Sequence, residues 1–277
     1  MVSLVRKVVA FLEGRFMTDR IVTTLGFDAD DTLWQNECFF RDTEGRFLDL
    51  LGDFGDRATL ASRLFAVEKR NIPIYGFGIK GFVLSMMETA LEVSDGRLDP
   101  SVIAGVLAMG REMLNHPVEL LPEVRETLEA LSDQYPLVLI TKGDLFDQER
   151  KLAASGLAGL FQAVEIVSEK SASTYARVFA MRGSEPDSGL MVGNSLRSDI
   201  LPALEAGAFA VHVPHDLTWL YEQVDEPVDH PRLFIEHHIR NVVNVLEKIN
   251  EHDRDRPLCI RSFASASWRL SLLILGF

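Results

Sequence analysis

The chain has 277 residues, of which 47% are hydrophobic and 25% are charged. These values are typical of a globular protein with one large domain, or with a core and a smaller second domain. The net charge of −13 argues against nucleic acid or an anionic membrane as a partner, because both would repel the protein, but it leaves room for a small phosphorylated ligand held at a local positive site.

We assign neither end of the chain to the folded core. We expect residues 1–20 to form an N-terminal arm, with Met17 as a candidate start of the native protein, because the first strand follows it closely. Residues 251–277 are expected to form an appended tail, whose apolar stretch is too short to span a bilayer. The two cysteines, Cys38 and Cys259, indicate neither a disulfide framework nor a metal site, so we expect a cytoplasmic protein.

Five short apolar runs are predicted to be strands buried on both faces, because they lack clean alternation of apolar and polar residues. They are Ile21–Phe27, Leu137–Ile140, Ala163–Val167, Leu190–Val192 and Phe209–Val213. Helical patterns separate the last four runs, at Leu145–Ser155, Thr174–Met181 and Ser198–Ala206. This alternation predicts a parallel sheet with helices on both faces. The carboxyl ends of the strands then meet at one edge, where such sheets bind ligands.

Residues 35–117 separate the first two strands and are far too many for a loop. Their pattern predicts four helices, at Phe39–Leu51, Ala58–Lys69, Lys80–Leu91 and Pro100–Leu114. We therefore expect residues 35–117 to form an inserted α-helical domain, and residues 21–34 and 118–250 to form the α/β core.

Within this insert, the segment Asn71–Phe82 combines three glycines with aromatic residues and one lysine. One interpretation makes it a substrate-contacting turn, with Lys80 or Tyr75 reaching into the site. The other makes it an ordinary connection between helices that buries an aromatic side chain. The sequence leaves both open.

Two carboxylates follow the first strand, at Asp28 and Asp30. Alternate residues of an extended chain point the same way, so both side chains can face one pocket. One carboxylate can attack while the other moves a proton, and their like charges favour a bound cation. An Asp-rich turn alone is more often a solvated loop, so the interpretation depends on the other strand ends.

Polar residues also follow the next three strands. A hydroxyl at Thr141 can hold a phosphate oxygen, and Lys170 can neutralise phosphate and nucleophile together. Asn194 and Asp199 offer oxygen ligands for a hard cation. Each alone has an ordinary structural explanation, such as a helix cap. Together they occupy consecutive strand ends of one sheet, where chemistry is expected.

The order and spacing of these residues resemble the four motifs of the haloacid dehalogenase superfamily, over about Ile21–Pro214. The motifs are Asp28-x-Asp30-x-Thr32, then Thr141, then Lys170, then Gly193-Asn194 with Asp199. The resemblance implies an α/β fold, with a Rossmann-like parallel sheet of strand order 3-2-1-4-5 and a mobile helical cap formed by the insert.

The resemblance also implies roles for individual residues. Asp28 corresponds to the nucleophile that forms an aspartyl-phosphate, and Asp30 to the acid and base that protonates the leaving group and activates water. Thr32 is expected at the substrate. The magnesium ion, Mg²⁺, would be held by Asp28, the backbone carbonyl of Asp30, Asn194 and Asp199. Asn194 departs from the family pattern, which places an acid there, and this puts the strength of metal binding in question.

The function implied by the resemblance is a Mg²⁺-dependent phosphatase acting on a small phosphorylated metabolite. A 2-haloacid dehalogenase is an alternative, although Asp30 argues against it because a halide needs no proton donor. A phosphomutase and a non-catalytic binding protein with the same fold are further alternatives. The sequence leaves the substrate and the oligomeric state open.

Overall fold

The computed structural model describes residues 20–224 and 230–254 of the chain. The expected N-terminal arm, residues 1–20, lies outside this range except for its last residue. The expected tail, residues 251–277, lies outside it except for residues 251–254, which continue a helix. None of the helices within the described ranges is long and apolar enough to cross a membrane.

In the described part of the chain, six strands form one sheet. Their bounds are β1 Thr24–Phe27, β2 Leu137–Lys142, β3 Ala163–Val167, β4 Gly189–Gly193, β5 Phe209–His212 and β6 Leu233–Ile235. The strand order is β3-β2-β1-β4-β5-β6, and all neighbours pair in parallel. The predicted Rossmann-like sheet is confirmed. The edge strand β6 was not predicted, because three residues are too few to give a periodic pattern.

The central strands are buried on both faces, which explains why they show no alternation. All four residues of β1 are buried, as are all five of β4. Gly26 in β1 is crowded by side chains of the two adjacent strands: a Cβ atom there would lie 2.8 Å from Ile140 and 3.1 Å from the sulfur of Met191. The strand that leads to Asp28 is therefore held closely between β2 and β4.

The segment between β1 and β2 contains four helices and is called the helical insert below. The helices are α1 Glu37–Leu50, α2 Arg57–Tyr75, α3 Ile79–Val93 and α4 Pro100–Asn115. They share a hydrophobic cluster that includes Phe47, Leu64, Met86, Val106 and Met113. Two aspartates begin helices as N-caps: Asp56 accepts from Thr59 N at 3.0 Å, and Asp99 accepts from Ser101 N at 2.8 Å.

Of the four helices that cover the sheet, the first precedes β2 and the other three follow β2, β3 and β4 as predicted. They are α5 Val124–Ser132, α6 Leu145–Ser155, α7 Ala172–Ala180 and α8 Leu201–Glu205. Helix α6 has the predicted bounds and ends at Gly156, whose φ of 70° is left-handed. The helix predicted at Ser198–Ala206 is instead one π-turn, Leu196–Ile200, followed by the short α8.

Residues 20–22 and 243–254 group apart from the rest of the described chain. Most of them belong to helix α9, Val242–Arg254, whose Val245, Leu246 and Ile249 are buried. The side chain of Asn250 accepts from the backbone N of Ile21 at 3.1 Å. The helix ends beyond residue 250, where the sequence placed the end of the core.

Candidate active site

Asp28 lies where β1 ends, at the carboxyl edge of the sheet. Its backbone N donates to Val192 O at 2.9 Å, which continues the pairing with β4. The side chain is buried, with 6% of the residue exposed. One carboxylate oxygen accepts from the ammonium of Lys170, and the other accepts from Thr32 Oγ1 at 3.1 Å. The first strand end thus presents a carboxylate oriented by two donors.

Lys170 bridges two acids at this edge. Its Nζ donates to Asp28 Oδ1 and, at 2.7 Å, to Asp199 Oδ1. Burial opposes the charge on Lys170, but Asp199 and Asp28 together raise its pKa. Burial, reinforced by Asp199, raises the pKa of Asp28 to about 7, although Lys170 acts in the opposite direction. The buried ammonium therefore offsets only part of the negative charge gathered here.

Asp199 is held by the loop after β4. It is fully buried, and its Oδ2 accepts from Ser195 N at 2.9 Å. Gly193 makes this position possible, since a Cβ atom at residue 193 would lie 2.3 Å from Asp199 Oδ2. A side chain of any size at 193 would displace the carboxylate, so glycine is required by close approach and not by its φ angle.

Asn194 lies next to both Asp28 and the Asp30 backbone. Its backbone N donates to Thr32 Oγ1 at 3.0 Å. Its side-chain amide has two orientations. With nitrogen turned inward, it donates to Asp28 Oδ2 and to the Asp30 carbonyl oxygen, both at 3.2 Å. With oxygen turned inward, it accepts from Thr32 Oγ1 at 3.1 Å and lies beside the oxygens of Asp28 and Asp30, an arrangement that favours a cation between them.

This convergence fits a hard divalent cation, because carboxylate, carbonyl and amide oxygens are the donors that such ions take. Asp28, the carbonyl of Asp30 and Asn194 would be the donors nearest to one another. The carboxylate of Asp199 is bonded to Lys170 and Ser195 N. Over the described residues, no group of three or more His, Cys, Asp or Glu side chains is placed to hold a metal ion. A metal here would depend on carbonyl and amide oxygens beside Asp28.

Asp30 faces a different set of donors. Its Oδ1 accepts from Trp34 Nε1 at 2.7 Å and from Lys151 Nζ at 2.9 Å, and its Oδ2 accepts from Gln148 Nε2 at 2.8 Å. Burial tends to raise the pKa of Asp30, but the charge of Lys151 and these hydrogen bonds lower it below the ordinary 3.8. Asp28 and Asp30 therefore share one loop but have pKa values shifted in opposite directions.

A cavity of about 180 Å³ opens onto these residues, which is room for about a dozen water molecules. Thr141, which is 1% exposed near the end of β2, lines it from the sheet edge, together with Asp28, Asp30, Gln148, Lys151, Lys170, Asn194, Ser195 and Asp199. From the helical insert it is lined by Asn36, Glu37, Phe40, Glu44, Glu68, Asn71, Ile72, Gly76, Phe77, Gly78, Gly81, Phe82 and Ser85. The predicted residues Asp28, Asp30, Thr141, Lys170, Asn194 and Asp199 all line it.

The comparison with known proteins agrees with this geometry. A family model described as haloacid dehalogenase-like hydrolase matches residues 22–207. The chain belongs to this family. A haloacid dehalogenase-like family hydrolase from Xanthomonas campestris is 37% identical, over 86% of this chain and 100% of that one, with a TM-score of 0.76. A comparison with curated proteins gave no match.

Two other structures of the superfamily share the fold of this hydrolase. The HAD-hydrolase YfnB from Bacillus subtilis, whose structure is bound to magnesium, is 18% identical over 82% of this chain and 99% of that one, with a TM-score of 0.57. A 2-haloacid dehalogenase from Pseudomonas syringae pv. Tomato DC3000 is 21% identical over the same shares, also with a TM-score of 0.57. At this level of identity the likeness shows the fold alone.

Three residues predicted to contact substrate lie in different places. Thr32 is buried beside Asp28, as described above. Lys80 is instead bonded to both oxygens of Asp144 at 2.9 Å, and Tyr75 is 45% exposed and donates to Glu88 at 3.2 Å. Neither Lys80 nor Tyr75 lines the cavity. The short connection between α2 and α3 contributes Phe77, whose ring centroid lies 4.1 Å from Lys142 Nζ.

Two groups of cavity residues in this hydrolase were not predicted. Gln148 and Lys151, three residues apart on α6, bind Asp30, and their i, i+3 spacing after the second strand could have indicated a shared face. Glu222 accepts from Lys142 and, at 2.6 Å each, from Ser195 and Ser198. Nothing in the sequence near Glu222 marked it, because its partners come from distant strands.

Asp31 also had no predicted role. Its φ is 60°, and its carboxylate accepts from Asn36 N at 2.9 Å and Glu37 N at 3.0 Å. It therefore caps α1 directly from the loop that carries Asp28. Burial raises the pKa of Asp31 to about 6 against the opposing effect of these backbone donors.

Proposed function

We propose that this hydrolase is a Mg²⁺-dependent phosphatase that acts on a small phosphorylated metabolite through an aspartyl-phosphate. The observation that carries the proposal is the pair of carboxylates, Asp28 and Asp30, which follow one strand end and line the same cavity. Asp28 is the oxygen nucleophile bonded to a buried ammonium, and Asp30 is a second carboxyl group able to exchange a proton.

In the first step, Asp28 attacks phosphorus, and the bond from phosphorus to the ester oxygen breaks. The ester oxygen leaves with the electron pair and takes a proton from Asp30. Lys170 is placed to balance charge on the phosphoryl oxygens, and Thr141 lines the same part of the cavity. The products of this step are an alcohol and an aspartyl-phosphate on Asp28.

In the second step, water attacks the same phosphorus, gives a proton to Asp30, and releases phosphate from Asp28. The donors around Asp30 hold it as the carboxylate, which is the form that accepts this proton. Asp30 must take up a proton before the first step, and the transfer from water supplies it for the next turnover. The net reaction consumes one water and gives the alcohol and phosphate.

A bound Mg²⁺ would neutralise charge on the phosphoryl oxygens and help to orient them. Asp28, the backbone carbonyl of Asp30 and Asn194 would hold it, and the carboxylate of Asp199, which is bonded to Lys170 and Ser195 N, would add negative charge nearby. Of the three oxygen donors only Asp28 is anionic, because one of the others is an amide and one is a carbonyl.

A dehalogenase is the second candidate, and the observation that favours it is Asn194. Its amide nitrogen can bond to Asp28 and to the carbonyl of Asp30, which stabilises this arrangement without a metal. In that reaction Asp28 attacks carbon and a halide leaves with the electron pair. No proton donor is needed, so the proton-exchanging position of Asp30 favours the phosphatase.

The test is product release by the purified protein. We expect phosphate from p-nitrophenyl phosphate and from a panel of alkyl phosphates with Mg²⁺, at least tenfold less with EDTA, and no chloride from 2-chloropropionate. Asp28→Asn, which keeps the shape but cannot form the acyl-phosphate, should lose nearly all activity. Chloride release without phosphate release, or an Asp28→Asn protein with wild-type activity, would refute the proposal.

A further inference from the structure

The wall that the helical insert contributes to the cavity has one sign of charge. Its charged lining residues are Glu37 and Glu44 from α1 and Glu68 from α2. No lysine, arginine or histidine of the insert lines the cavity. Three aromatic side chains line the same wall, Phe40, Phe77 and Phe82, and the ring centroids of Phe40 and Phe82 lie 5.2 Å apart. A ligand whose phosphate lies at Asp28 would place its other end against carboxylates and aromatic faces.

Only one of these three acids is ion-paired within the described residues. Glu37 accepts from Arg41 at 2.8 Å. Within residues 20–224 and 230–254, Glu44 and Glu68 form no hydrogen bond or ion pair with another side chain. Burial and then the charges of Glu44 and Glu37 raise the pKa of Glu68 to about 8. Gathering these acids around an enclosed space costs free energy, and a cation in the cavity would recover it.

A metal ion is a poorer match for the same charge. Across the described chain, no three His, Cys, Asp or Glu side chains are arranged to hold one. The aromatic rings on the wall suit an organic cation, since ammonium groups are attracted to aromatic faces. The cavity volume of about 180 Å³ also suits a molecule with several carbon atoms more than a single ion.

Building on the phosphatase proposed above, we infer that the substrate is a phosphomonoester that carries an ammonium group. Its phosphate lies at Asp28 and Lys170, and its ammonium lies at Glu44 and Glu68. The reaction is the two-step hydrolysis already described, and the ammonium takes no part in the bonds that form and break. It contributes binding energy at the end of the cavity away from Asp28. The site therefore favours phosphomonoesters whose alcohol part carries an ammonium group.

Matched substrates test this inference. Glucosamine 6-phosphate and glucose 6-phosphate differ at one position, an ammonium against a hydroxyl, and 2-aminoethyl phosphate and 2-hydroxyethyl phosphate form a smaller pair. We expect kcat/KM to be at least tenfold higher for the cationic member of at least one pair. Glu68→Gln and Glu44→Gln should each lower that ratio by about fivefold to tenfold. Two variants are used so that a folding defect in one does not decide the result.

Asp42→Asn is the matched control, because Asp42 is an exposed carboxylate on α1 that does not line the cavity. It should leave the ratio unchanged, which separates a local effect from the loss of one net charge. The inference is overturned if p-nitrophenyl phosphate is hydrolysed through Asp28 but the neutral member of each pair is as good a substrate, or if neither glutamate variant changes the ratio. If no phosphomonoester is hydrolysed at all, the phosphatase proposal fails and the inference fails with it.

Discussion

Replacing Glu68 by Gln should stabilise the protein, and by more at pH 8 than at pH 5. Burial, together with Glu44 and Glu37, raises the pKa of Glu68 from an ordinary 4.5 to about 8. The folded protein therefore binds the Glu68 proton more tightly than the unfolded chain. The protonated Glu68 therefore contributes fully to the free energy of unfolding below pH 4.5, and this contribution is lost as the pH rises through 8 and the group ionises. Gln stays neutral throughout and avoids this loss.

The size of the effect follows from the pKa difference. From 4.5 to about 8, at about 1.4 kcal/mol per pH unit, the full cost of an ionised Glu68 is about 5 kcal/mol. Glu68 is only partly buried, so solvent screening reduces this to about 2 kcal/mol between pH 5 and pH 8. For a protein of this size, about 2 kcal/mol corresponds to a change in Tm of about 4 °C.

Thermal unfolding followed by circular dichroism at pH 5 and pH 8 measures this directly. The Tm of Glu68→Gln should exceed that of the wild type, and this difference should be about 4 °C larger at pH 8 than at pH 5. Asp42→Asn removes an exposed acid from the same insert, so its effect should change little between the two pH values. A gain from Glu68→Gln that is equal at both pH values, or larger at pH 5, would show that Glu68 is not destabilised by the acids around it.

Four further substitutions probe the sheet edge. Asp30→Asn should slow alkyl phosphates by about 10²–10⁴-fold and p-nitrophenyl phosphate much less, because only the alkoxide needs a proton; equal losses in steady-state assays would contradict the acid role. Asn194→Asp should lower the Mg²⁺ concentration for half-maximal activity by about tenfold, and Asp199→Asn should raise it. Identical Mg²⁺ titration curves for these variants and the wild type would count against this metal site. Gly193→Ala should cost about 1–3 kcal/mol in denaturant unfolding, since its Cβ would displace Asp199, and an unchanged midpoint would contradict the crowding described.

The sheet could be read from the sequence because its signals are local. Each central strand is a short apolar run that ends at a polar residue, and each intervening helix has its own stop, such as Gly156 after α6. Helix α2 shows the limit of this approach. It was predicted to end at Lys69 but extends through Pro73 to Tyr75, and Gly76, with φ of 75°, ends it. A proline near the last turn of a helix removes one hydrogen bond without ending the helix.

The geometry at the sheet edge was also predictable in part. Parallel strands bring their ends together, so residues that follow them had to meet, and the structure places Asp28, Lys170 and Asp199 in direct contact. The acidic wall could not be predicted in this way. Glu44 and Glu68 lie on different helices, and their shared surface depends on how α1 and α2 pack. No spacing within either helix records that packing.

The surroundings of Asp30 give this hydrolase a built-in optical reporter. Trp34 is 1% exposed and donates to the Asp30 carboxylate at 2.7 Å, while Trp219 lines the cavity within 6.3 Å of the Phe77 ring. Indole emission responds to nearby charge and to water, so two of the chain's three tryptophans lie where a ligand or a proton would change their surroundings. Binding can therefore be followed by intrinsic fluorescence, without attaching a dye and before any turnover occurs.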